Sequence, residues 1–132
     1  MAQLPLFRAM REAADGGPHL GASSRSLGAR PGIDIPALQD DDSVFPDQGG
    51  ISVSPRDPVH LPFHRRPRSL GGCGVDPVWS IEAVDLGVDL VYRPDPDDPL
   101  RHGFIEPSHP IMLEAYQDAL TQTRDRWRKV VI

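Results

Sequence analysis

The sequence predicts an α+β fold, with small, twisted, mostly antiparallel sheets and one long C-terminal helix. Three observations carry that expectation. Short strand-like runs recur at 4–10, 49–55, 78–84, 86–93 and 101–106, the last four with two-residue alternation. A convincing three- to four-residue period comes at the end, from about Pro110 to Trp127. Fifteen prolines and twelve glycines in 132 residues argue against a helical bundle and require much loop.

The length suits a single domain, residues 1–132, able to bury roughly two-thirds of its unfolded surface. Cys73 is the one cysteine, so no internal disulfide supports the fold. No apolar run approaches the ~20 residues that span a bilayer, and no signal-peptide pattern opens the chain, so a cytoplasmic protein without membrane insertion is expected. A net charge of −5 disfavours a nucleic-acid coat. Asp outnumbers Glu fifteen to four, which makes a Glu on a strand end conspicuous.

The first run, Leu4 to Met10, reads as a strand with Arg8 near its end; a helix from Leu6 to Ala14 is the alternative its composition allows. Asp15-Gly16-Gly17-Pro18 breaks whatever precedes it. From Pro18 to Gln48 no period is sustained, which predicts a long irregular region that includes the acidic run Asp40-Asp41-Asp42. Gly49 to Pro55 is a strand with Ile51 and Val53 on one face and Ser52 and Ser54 on the other. After a Pro-rich stretch with arginines at 65, 66 and 68, and a turn at Gly71–Gly74, strands follow at Val78–Val84 and Leu86–Arg93. His102, Phe104 and Glu106 alternate along the last strand, Pro107 ends its pairing, and Pro110 suits a helix start. Met112, Tyr116, Ala119 or Leu120, Thr123 and Trp127 would form the helix's buried stripe, with Arg124, Arg126, Arg128 and Lys129 late in it, where they complement the dipole.

Polar groups on three strands make the candidate site: Arg8, Ser52, and the pair His102 and Glu106. An arginine fork can hold pyrophosphate or a ribose–phosphate edge through two bonds. A serine hydroxyl can orient a neighbouring strand or a ribose. A carboxylate can stabilise positive charge on a ribose as its base departs. The set suits a dinucleotide whose glycosidic bond is broken. Taken singly, each residue has a structural explanation as ordinary strand surface.

In order, LFRA, GGISV, a Trp-containing strand, a further hydrophobic strand and HGFIEPSHPIM leading into a helix resemble small effector toxins of the type VI secretion system, across nearly the whole chain. That family has an ADP-ribosyltransferase-like fold. The resemblance implies a cleft between two small sheets and NAD as substrate, with ADP-ribose passed to a macromolecule or to water. It implies binding roles for Arg8, Phe7 and Ser52 and catalytic roles for Glu106 and His102. It also implies an immunity or antitoxin partner in the producing cell and delivery into a target-cell cytoplasm. The chain has Ile51-Ser52 where the family pattern has Thr-Ser. Two other readings stand beside this one: a toxin that keeps the fold and acts by binding a target without NAD turnover, and a harmless binding module. No metal site is expected, because Leu61-Pro62-Phe63 denies His60 and His64 a shared helix.

Overall fold

The computed structural model describes residues 3–36 and 42–131. Asp40 and Asp41 of the acidic run lie outside the described residues. Strands β1 (Pro5–Ala9), β3 (Ile51–Pro55), β4 (Val78–Glu82), β5 (Leu90–Pro94), β6 (Gly103–Pro107) and β8 (Arg128–Lys129) form a six-stranded sheet in the order β5-β6-β3-β1-β4-β8. The short strands β2 (Ser43–Val44) and β7 (Ile111–Met112) pair separately, and α1 (Leu113–Gln122) is the one α-helix among the described residues. Every ladder between these strands is antiparallel. The expected α+β class with a mostly antiparallel sheet and a C-terminal helix therefore holds.

Residues 5–9 are a strand and not the start of a helix, because Leu6, Phe7, Arg8 and Ala9 are all buried. Such a run suits a central strand covered on both faces, whereas a surface helix keeps a polar side. Leu6, Ile51, Val53, Trp79, Ile81 and Ile105 form the main core on one face of the sheet. The helix covers that face through Tyr116 and Leu120. On the other face, Phe7, Leu61 and Val78 make a smaller apolar cluster.

Several sequence expectations need correction. The helix spans ten residues, not the stretch from Pro110 to Trp127. Ile111 and Met112 pair with Val44 and Ser43, so the first turn is lost to a ladder, and Met112 is half exposed instead of in the buried stripe. At the other end Thr123 Oγ1 donates to Leu120 O, a 3₁₀ turn covers Arg124–Arg126, and β8 follows. The late basic residues thus lie beyond the helix. The strand expected to begin at Leu86 begins at Leu90, because Gly87 takes a positive φ and the chain turns there. Ser54 is buried, although alternation placed it on an outer polar face with Ser52, because loop 56–74 covers that face through Leu61.

The region between Pro18 and Gln48 has little regular structure, yet it packs. Leu27, Ala29, Ile35 and Val44 are all buried in the core. Gln117 on α1 clamps this region by donating to Ala29 O at 2.7 Å and accepting from Ala29 N at 2.9 Å. No helix among the described residues is long and apolar enough to cross a membrane.

Candidate functional site

The β1–β4 and β5–β6 ladders each run for five residue pairs, whereas β1 and β3 meet over two, Leu6–Pro55 and Phe7–Ser54. Beyond Phe7 the two strands part. Arg8 spans the gap: its Nη1 donates to Ser52 O at 2.8 Å, and its Nη2 donates to Ser26 O at 2.9 Å and Ser23 O at 3.4 Å. Nε adds a bond to Ser26 O at 3.3 Å. The guanidinium takes the place of ladder bonds that the diverging backbones cannot make. Burial pulls the Arg8 pKa down to about 10, with Asp34 and Tyr116 acting in the other direction. Arg8 therefore remains a cation at neutral pH.

A cleft of about 320 Å³ opens at this gap. Arg8, Ser52 and Ser54 line it from the strands, Arg30 and Asp34 from the N-terminal irregular region, and His64 and Arg65 from the 56–74 loop. His102, just before β6, completes the wall. Three arginines face one aspartate here, on a chain whose net charge is −5. Arg30 and Asp34 pair at 2.9 Å. Arg65 Nη2 donates to Ser24 Oγ at 2.5 Å, and Arg25 forks onto Asp76 through two bonds of 2.6 Å. The Arg65–Ser24 bond joins the two loops at the cleft, the Arg25–Asp76 fork anchors the N-terminal one to the segment before β4, and Asp34 holds Arg30 in place.

His102 Nδ1 lies 2.7 Å from Asp95 Oδ2. That bond, helped by the Asp97 amide, holds the Asp95 carboxyl below the usual carboxylate range. His102 also packs edge-on against Phe104, with ring centroids 4.9 Å apart. The imidazole is thus oriented by an acid on one side and a ring on another, an arrangement suited to donating or accepting at a fixed point.

The cleft brings together Arg8, Ser52 and His102. Phe7 is not in its wall; it packs with Leu61 and Val78. Glu106 is also outside the wall. It is 2% exposed, Oε2 accepts from Arg93 Nε at 2.8 Å, and Oε1 accepts from the Asp47 amide at 3.1 Å. Arg8 does not share a sheet face with the other candidates. Register puts Arg8 with Leu6 and Trp79, and puts Ser52 with Phe104 and Glu106 on the opposite face. Arg8 reaches the cleft through the gap between β1 and β3.

Sequence reasoning missed Arg30, Asp34 and Asp95. The first two carried one available signal, opposite charges four residues apart around a Pro-Gly turn. Asp95 sat in an Asp-Pro loop with nothing to single it out. Among the described residues, no three His, Cys, Asp or Glu side chains are grouped so as to hold a metal ion. Compared with known proteins, the chain matches no family model, no curated protein and no solved structure.

Proposed function

We propose that the cleft binds NAD and that the chain is an intracellularly acting bacterial toxin domain of the ADP-ribosyltransferase-like type. The reading rests on one observation: the parting of β1 from β3 joins Arg8, Ser52 and His102 in a cleft rich in arginine. A cationic recess on an acidic protein favours an anionic ligand, and paired phosphates answer its charge. Arg30 and Arg65 extend the anion-binding wall. His102, oriented by Asp95, stands where it can hold a ribose hydroxyl or move a proton. The chemistry is scission of the nicotinamide–ribose bond, with ADP-ribose passed to a macromolecule or to water. Such an activity requires an immunity or antitoxin partner in the producing cell, and the exposed Asp97 and Asp98 loop is one acidic surface open to it.

For Glu106 to stabilise a ribosyl cation, its carboxylate has to leave Arg93 and the Asp47 amide. That engagement favours a second reading, in which the fold is kept and the protein acts by binding a cellular target without NAD turnover.

Nicotinamide release by the purified protein incubated with NAD separates the two readings. Release that falls by roughly 100-fold in His102→Ala supports turnover at the cleft. Release unaffected by His102→Ala, Arg8→Lys and Glu106→Gln alike would remove the proposed site. No release, combined with growth arrest on expression, would establish the target-binding reading.

A further inference from the structure

Beside the cleft lies a wider groove of about 730 Å³, and Leu61, Pro62 and His102 line both spaces. The two differ in chemistry. The cleft has three arginines against one aspartate, whereas the groove sets Phe63, Asp95 and Asp98 beside Arg66 and Arg101. Phe63 is 59% exposed, which leaves its ring open to contact. Asp95 is engaged by His102 and the Asp97 amide, while Asp98 lies exposed beside it.

Size sets a limit. At about 320 Å³ the cleft is near the bottom of the roughly 300–1,000 Å³ range of small-molecule sites. A dinucleotide carries two nucleosides as well as two phosphates, so part of it must lie outside. An open aromatic face is what a base stacks on. A carboxylate beside it is what ribose hydroxyls donate to in dinucleotide sites.

We infer that the groove is a second subsite, taking a nucleoside moiety of the ligand whose phosphates occupy the cleft. Phe63 stacks on the base and Asp98 accepts from the ribose hydroxyls, while the ligand crosses the ridge formed by Leu61, Pro62 and His102. The inference rests on the nucleotide reading of the cleft.

Calorimetric titration of the full chain with ADP-ribose, nicotinamide mononucleotide and inorganic pyrophosphate tests it. None of these three probes requires turnover of NAD. ADP-ribose or the mononucleotide should bind roughly tenfold or more tighter than pyrophosphate. Phe63→Ala and Asp98→Asn should each remove most of that advantage and leave pyrophosphate binding unchanged, while Phe63→Tyr should retain it. Both residues are exposed, and an unchanged urea midpoint will confirm that the variants fold. If the advantage over pyrophosphate persists in both variants, the second subsite is refuted and the cleft reading stands. A wild-type chain that binds neither pyrophosphate nor either nucleotide overturns both.

Discussion

Arg93 and Glu106 meet across the β5–β6 ladder, with Arg93 Nε donating to Glu106 Oε2 at 2.8 Å. The carboxylate side chain is 3% exposed and the arginine side chain 25%. Arg93 also lies 5.3 Å over the Phe104 ring, which in turn touches His102. Glu106 is therefore joined to the cleft through a chain of side chains and is not part of its wall.

Removing that carboxylate takes the nearer acid from Arg93 and leaves it the 3.3 Å contact with the exposed Asp47 carboxylate. Glu106→Ala should cost about 2 kcal/mol of stability, and Glu106→Gln, which keeps an acceptor for Arg93, clearly less. Urea denaturation of the two variants measures the difference. Equal stability of Glu106→Ala and wild type would show that the pair contributes nothing to the scaffold.

Arg8 donates both to the Ser52 carbonyl in β3 and to the Ser26 carbonyl in the irregular segment after β1. Arg8→Ala should cost about 3 kcal/mol or more, because the Ser26 and Ser52 carbonyls lose their partner inside the protein. Amide exchange in residues 23–27 should accelerate with it, since the guanidinium links that loop directly to β3, beside the Arg11–Arg25 backbone bond and the Arg25–Asp76 pair. A variant with wild-type exchange there would show that the loop is held by other contacts.

Tyr116 reaches from α1 into the sheet. Its hydroxyl donates to Ile105 O at 2.6 Å and accepts from Ile51 N at 3.2 Å, so one phenol bridges β6 and β3. Burial pushes its pKa above the usual phenol range, so it stays a donor at any ordinary pH. Tyr116→Phe should cost about 1–2 kcal/mol, read as a lower urea midpoint with an unchanged slope. Gly50→Ala should be worse, because a Cβ there would run into the Ile105 carbonyl and the Tyr116 hydroxyl.

Asp15 and Arg124 join the N-terminal turn to the segment after α1 through two bonds of 2.6 Å. The Arg124 bonds, followed by the Gly17 amide, hold the Asp15 carboxyl well below the usual range. A carboxyl with a depressed folded-state pKa adds stability above its unfolded value, near about 3.9, and loses it as pH falls toward the folded value. Asp15→Asn should therefore melt below wild type at pH 7, with the gap closing between about pH 4 and pH 2. A gap that is the same at pH 7 and pH 2 would show that the charge is not responsible.

The linear chain was enough for the class of fold and the place of most strands. Alternation at Ile51–Pro55 and Gly103–Pro107, and the loop demanded by proline and glycine, are local properties that hold whatever the chain packs against. It was also enough to single out Arg8, Ser52 and His102 as residue types worth testing. Tertiary structure decided the helix limits, because Ile111–Met112 found strand partners in Ser43–Val44 nearly seventy residues earlier in the chain. It decided which residues line the cleft as well. Period-two alternation fixes which face a side chain takes within one strand, but not where two strands part company. The gap beyond Phe7 is what brings Arg8 from one face to Ser52 and His102 on the other, and the ladder beside it is what binds Glu106 to Arg93.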